Sequence, residues 1–274
     1  MQSANFDLRT ASREDIPELC ENWRASFGDP DAYLDFFFSR RFVPENTFVA
    51  VLNGKVVSQL FLLQVRLHTQ DGIQNADYLF AACTHPQYRG QGIMRQLLWY
   101  ANTEETKRGK DAIVLLPGEP ELYEYYAKNG YKTAFFRRRL DISREELSLL
   151  AHPADVVHDT CAVIDRIMSR RDGLWWDEDA IRYALDEHRL FRGAYTSSEH
   201  AFVGMSEDET ACLCLPQHFG ECASLLLRMS DKPRFSLILP PDVPYGTPED
   251  GGMICKLSDK HVNLRDAFIS FAME

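Results

Sequence analysis

Ala82-Cys83-Thr84-His85-Pro86-Gln87-Tyr88-Arg89-Gly90-Gln91-Gly92-Ile93-Met94-Arg95 is the stretch on which the fold turns. It leaves an almost wholly apolar segment, Ala76 to Thr84, whose composition suits a buried central strand. It enters an amphipathic segment from about Gly92 to Lys107, with Ile93, Leu97, Leu98 and Ala101 on one helical face. Two glycines between a buried strand and a helix leave the turn free to adopt left-handed backbone. Such a turn aims bare N–H groups and the positive end of a helix dipole at a phosphate. Arg89 or Arg95 adds charge-assisted hydrogen bonds to it. The stretch is not a Walker A loop, since it lacks Gly-Lys-Ser/Thr. Nor is it a complete dinucleotide fingerprint, since Arg95 stands where the third glycine belongs. On glycine count alone, an ordinary strand-to-helix turn is the commoner reading.

Outward from this turn the elements alternate. Phe6–Thr10 reads as a short strand, and Ile16, Leu19, Cys20, Trp23 and Phe27 recur at helical spacing up to Gly28-Asp29-Pro30. Leu34, Phe37, Phe38 and Phe42 form a second helical face. Asn53-Gly54 joins strands Thr47–Leu52 and Val56–His68 as a hairpin. After the helix come a short buried strand, Ala112–Leu116, a helix opened by Pro120 and closed at Gly130, and a strand Tyr131–Leu140. This order predicts an α/β fold, a mixed sheet with helices on both faces.

The remainder predicts helices near Val156–Met168, Glu178–His188 and Phe219–Met229. Strands are expected near Phe191–Tyr195, His200–Gly204, Thr210–Leu215 and Phe235–Leu239. Two more should follow the Pro/Gly-rich loop Pro240–Gly252. Pro216-Gln217-His218-Phe219-Gly220 echoes Pro86-Gln87-Tyr88-Arg89-Gly90, each between a strand and a helix. The echo and the element order predict a duplicated fold, with domains 1–142 and 143–274. In the second turn Phe219 replaces Arg89 and Cys222 replaces Gly92, so nest and positive charge are both lost.

The segment from Ala82 through Arg95, followed by Leu97 and Leu98, resembles the GNAT superfamily of acetyl-CoA-dependent N-acetyltransferases. Their pyrophosphate loop, Arg/Gln-x-x-Gly-x-Gly/Ala, is here Arg89 to Met94. A second family feature, a helix ending in Tyr-x-x-x-Gly-Phe/Tyr, is here Tyr126 to Tyr131. The last loop position, small in the family pattern, is Met94; enhanced-intracellular-survival-type acetyltransferases carry a large aliphatic residue there and extra C-terminal domains, and this chain is most similar to that group.

The resemblance implies acetyl-CoA as cosubstrate, no metal, and a small-molecule or peptide amine as acceptor. It assigns coenzyme contacts to Ala82, Cys83 and Thr84, and to Arg89, Gly90, Gln91, Gly92, Ile93, Met94 and Arg95, with Gly118 and Glu119 bordering the same crevice. Tyr126 takes the position of the acid that protonates the leaving thiolate; from periodicity alone it reads as a core aromatic. Glu119, Asp77 and His85 are positional candidates for a general base, and the survival-type enzymes point to a C-terminal carboxylate, here on Glu274. The C-terminal half is expected to shape the acceptor pocket rather than to bind coenzyme. Two rival functions remain: a non-catalytic acyl-CoA-binding sensor, and a tandem aminoacyl or peptidyl transferase that needs an aminoacyl-tRNA.

Composition narrows the partners. With 274 residues, 45% hydrophobic and 26% charged, the chain has ample material for a folded core. A net charge of −11 denies it the overall basic footprint of a nucleic-acid binder; Arg137-Arg138-Arg139 read as a strand end at the surface. No apolar run approaches the ~18 residues of a membrane span, and Met1–Asp15 lacks the pattern of a signal peptide. Seven cysteines without a regular framework suit reduced thiols in a cytoplasmic protein. Cys212, Cys214, His218 and Cys222 offer four zinc-type donors, but at no common structural spacing, and a core role is expected. Cys83 with His85 lacks the third group of a nucleophilic triad. Phe36–Phe38 and Trp175-Trp176 read as core or pocket wall.

Overall fold

The computed structural model describes residues 6–191, 193–207 and 209–270. They form two compact units: the first comprises the described residues of 6–65, 75–132 and 254–260, the second those of 66–74, 133–253 and 261–270.

The first unit runs β1 (Asp7–Thr10), α1 (Ile16–Phe27), α2 (Asp31–Arg40), β2 (Thr47–Leu52), most of β3 (Lys55–Thr69) and of β4 (Gly72–Thr84), α3 (Ile93–Lys107), β5 (Ala112–Leu115) and α4 (Pro120–Ala127). Its strands lie in the order β1-β2-β3-β4-β5. The first pairs are antiparallel, and β4 and β5 are parallel. Asn53 and Gly54, with φ of 52° and 80°, turn β2 into β3 as the Asn-Gly pair predicts. Trp23 stands at the centre of the core, its ring 4.9 to 5.6 Å from those of Phe37, Phe61 and Phe80. Phe37 is therefore core, whereas Phe36 lies under the Arg40 guanidinium.

The second unit holds β6 (Lys132–Ser143), α5 (Arg144–Leu150), α6 (Thr160–Met168), β7 (Gly173–Trp175), α7 (Glu178–Leu190), β8 (Ala194–Ser197), β9 (Ala201–Met205), β10 (Thr210–Cys214), α8 (Phe219–Met229), β11 (Arg234–Leu239) and most of β12 (Thr247–Lys256). Its sheet order is β6-β11-β10-β9-β8, with β10 and β11 parallel. The expected domain boundary after residue 142 falls inside β6, which pairs with β11 as far as Ser143; the change of unit comes at 132/133.

Periodicity did not predict α5, yet Ser143 and Glu146 form a reciprocal capping box at its start, legible as Ser-x-x-Glu. Nor did it predict β7, which is too short to show a pattern. The loop expected at Pro240–Gly252 yields to β12 from Thr247, and of the two last strands only β12 forms among the described residues. Arg138 donates to the carbonyls of Tyr245 and Gly246, and Arg139 pairs with Glu209 and Glu249. The arginine run is thus tied to the protein itself. Trp176 is buried and donates to the Ser270 carbonyl.

Candidate active site

The site begins where β4 leaves β5. Their pairing runs only from Ala76–Ala112 to Tyr78–Val114. Beyond it Ala81 has a φ of 43°, a conformation L-residues adopt at a cost of roughly 1–2 kcal/mol. The rest of β4, including Ala82, Cys83 and Thr84, continues past the pairing and borders a cleft of about 730 Å³. Ser58 donates to the Cys83 carbonyl from the β3 side.

After β4 a 3₁₀ turn, Pro86–Tyr88, leads into a loop, Arg89–Gly92, and then α3. Gly90 and Gly92 have φ of 77° and 75°, the left-handed conformation that glycine adopts without strain. A β-carbon on Gly90 would meet nothing within 4 Å, and one on Gly92 only the Arg95 guanidinium at 3.8 Å. The glycines therefore serve the backbone conformation and the space in front of it. The first helical hydrogen bond runs from Gln96 N–H to the Gly92 carbonyl. Gly92 supplies no side-chain cap, and the first turn carries no acidic residue. From Gly90 to Arg95 the backbone N–H groups have no partner among the described residues. Arg89 is held by donating from Nε to the Thr84 carbonyl at 3.0 Å and from its terminal nitrogen to Ser26 Oγ at 3.2 Å. Neither Arg89 nor Arg95 pairs with a carboxylate among the described residues. Free N–H groups, a helix N-terminus and two uncompensated cations make an anion cradle.

Of the residues the sequence put at the site, the cleft is lined by Ala82, Cys83, Thr84, the whole stretch Arg89–Arg95 and Tyr126. Gly118 and Glu119 are not among its lining; Glu119 stands at the N-cap position of α4 in an extended conformation, without a side-chain capping bond. The cleft also takes in Ser26, Phe27, Tyr88, Leu122 and Tyr125, which sequence reasoning missed. Leu122, Tyr125 and Tyr126 are one helical face, so their spacing was the available signal. Ser26 and Phe27 end α1, remote in sequence, and carried none.

Tyr126 is 8% exposed, packed edge-on against Tyr125 and Tyr131. Burial raises its phenol above the ordinary value, with the neighbouring Tyr125 as a smaller cause. It therefore stays protonated, and its hydroxyl has no hydrogen-bond partner among the described residues. Burial likewise pushes the Cys83 thiol up to about 12, which removes it as a nucleophile at neutral pH.

The base candidates do not converge on the cleft. Asp77 is buried, paired with Lys110 at 2.5 Å and hydrogen-bonded to Glu105. His85 caps the 3₁₀ turn, its Nδ1 accepting from the Gln87 N–H. Glu274 lies outside the described residues. No carboxylate or imidazole is among the cleft's lining. The zinc-type quartet also separates: Cys222 lies within hydrogen-bond reach of Cys212 and Cys214 in the core, while His218 pairs with Glu221.

Comparison with known proteins follows the same lines. Residues 7–134 match the family model described as an acetyltransferase (GNAT) domain. The fold over 92% of the chain is similar to 72% of a GCN5-related N-acetyltransferase from Kribbella flavida, with TM-score 0.71 and 16% identity. A probable N-acyltransferase from Enterococcus faecalis matches with TM-score 0.72 and 14% identity, over 91% of this chain and 72% of that one. Eis1 from Mycobacterium abscessus gives TM-score 0.67 and 15% identity, over 92% and 74%. At these identities the likeness is one of fold. No curated protein matches the chain significantly. No helix among the described residues is long and apolar enough to cross a membrane.

Proposed function

We propose that this enzyme transfers the acetyl group of acetyl-CoA directly to a primary amine, without a covalent enzyme intermediate. One observation carries the reading: a single cleft holds the anion cradle of Gly90–Arg95, the departing end of β4 and the Tyr126 phenol. The cradle suits the coenzyme's pyrophosphate, and the β4 edge beyond Tyr78 suits the amide-bearing pantetheine arm. Met94, which lines the cleft, is assigned to the cradle through its backbone N–H.

In the reaction the amine lone pair attacks the thioester carbonyl. The tetrahedral intermediate collapses with cleavage of the C–S bond, and the thiolate leaves. Tyr126, held protonated by burial, gives its proton to the departing sulfur and regains one from solvent. The proton lost by nitrogen balances the one gained by sulfur. No carboxylate or imidazole among the described residues lines the cleft, and in this reading solvent deprotonates the acceptor. The acidic limb of kcat/KM then follows the acceptor's own ammonium titration and shifts when acceptors of different pKa are compared. A limb fixed at one pH for all acceptors would place a base on the enzyme.

The second unit repeats the order strand, Pro-Gln 3₁₀ turn, helix, parallel strand, which supports reading it as a degenerate copy of the first. It lacks the cradle, so one coenzyme binds per chain. The deciding experiment is thermal unfolding with excess acetyl-CoA, followed by thiol release with an amine library. Saturation at ~100 Kd stabilises by about 2.7 kcal/mol, a shift of several degrees for a chain of this size. No shift at millimolar coenzyme removes the coenzyme reading. A shift without thiol release for any amine leaves binding alone, and two coenzymes per chain would refute the degenerate copy.

A further inference from the structure

His200, His218 and Glu221 come together in the second unit, and none of them is among the residues assigned to the acetyl-transfer site. His200 ends the turn before β9, His218 closes the 3₁₀ turn before α8, and Glu221 lies in the first turn of α8. One donor atom from each lies within 4.8 Å of the other two. The two imidazole rings are 4.2 Å apart, their planes 34° from parallel. His218 Nδ1 and Glu221 Oε1 are 3.0 Å apart.

The electrostatics of the carboxylate add a second observation. The Glu221 side chain is only 15% exposed, yet no lysine or arginine pairs with it among the described residues. Its second oxygen accepts from Ser198 Oγ at 2.5 Å, the outer contact that commonly orients a ligating carboxylate. Its charge is met by one imidazole and one hydroxyl.

We propose that these three side chains form a binding site for a divalent transition-metal ion, with zinc the best fit to the donor set. Two neutral imidazoles and one carboxylate leave one negative charge for a dication. Zinc bonds of 2.0–2.2 Å in a tetrahedron span about 3.4 Å between ligand atoms. The His218–Glu221 hydrogen bond therefore needs to open by a few tenths of an ångström. The cation replaces the proton between those two atoms, and that proton moves to His218 Nε2. His200 closes the set by side-chain rotation in its turn, and the fourth position falls to water. The site ties the β8–β9 turn to the start of α8. The Cys212, Cys214 and Cys222 thiols stay in the core and take no part.

Cobalt(II) titration of the metal-free full chain tests this. The expected result is one equivalent bound, with the visible absorption of a four-coordinate ion and no thiolate-to-cobalt band in the near ultraviolet. Zinc should displace the cobalt and raise the unfolding midpoint by several degrees. His200→Ala and Glu221→Gln should each abolish the visible spectrum. The thermal shift with acetyl-CoA, read from the first unit, reports whether each variant is folded. A thiolate band would move the metal to the cysteines and overturn the proposal. So would binding that survives both substitutions, or no binding at millimolar cobalt in the unmodified chain.

Discussion

Two turns in this chain start from nearly the same letters and end as different objects. Pro86-Gln87-Tyr88-Arg89-Gly90 and Pro216-Gln217-His218-Phe219-Gly220 each make a 3₁₀ turn after a strand. In the first, four residues intervene before α3 begins at Ile93. In the second, α8 begins at Phe219, directly after the turn. Gly90 is left-handed and faces open space. Gly220 is helical, and a β-carbon there would lie 2.6 Å from His152 Cγ and 2.8 Å from the Leu150 carbonyl oxygen. The same glycine leaves open space beside a left-handed backbone in one place and admits a neighbouring segment in the other. Arg89 extends beside the cleft, while Phe219 is buried against Tyr245.

The largest expected effect separates the two units by chemistry. Tyr126→Phe should lower turnover by ~10²–10⁴, the usual range for a proton donor acting in the transition state, with the acetyl-CoA KM little changed. Steady-state kinetics showing turnover within twofold would remove Tyr126 from the reaction.

The helices behind the turns differ next. The buried face of α8 is apolar, whereas α3 buries Glu105 beside Asp77, Arg108 and Lys110. Burial, with Asp77 adding to it, raises the Glu105 carboxyl from 4.5 to about 7. Between those values the native chain keeps a proton that the unfolded chain releases. Stability therefore falls by ~1 kcal/mol per unit as pH rises across that window, and the contribution is flat above it. Glu105→Gln should flatten the decline in urea midpoints between pH 5 and 7. Parallel wild-type and variant curves would contradict the assignment.

Smaller effects should divide the glycines. Gly220→Ala should cost about 1–3 kcal/mol of stability through overpacking and leave coenzyme affinity alone. Gly90→Ala should cost ~1 kcal/mol through its backbone and weaken the coenzyme as well. If both variants behave alike in melting and in acetyl-CoA titration, the turns are not distinct in the way described. Arg89→Ala should raise the coenzyme Kd about tenfold, equivalent to ~1.4 kcal/mol, with more loss at low salt than at high. It should barely move the melting midpoint, because its two hydrogen bonds are exposed. An unchanged Kd would take Arg89 out of the cradle.

Spacing and composition by themselves determined the strand–turn–helix around Gly90 and Gly92, the hairpin at Asn53-Gly54, the helical face ending at Tyr126 and the lack of an arginine and a second glycine in the turn at Phe219 and Cys222. Each is a local matter: the period of apolar residues, the φ that a glycine permits, the charge a side chain carries. Tertiary structure alone decided that β4 parts from β5 beyond Tyr78, that Ser26 at the end of α1 holds Arg89, and that Asp77 is locked to Lys110 instead of serving the cleft. It also split the apparent metal quartet, sending Cys222 into the core and His218 to Glu221. Those outcomes join residues from distant parts of the chain, and burial, pairing and cleft shape follow from which surfaces meet, a choice no local pattern encodes.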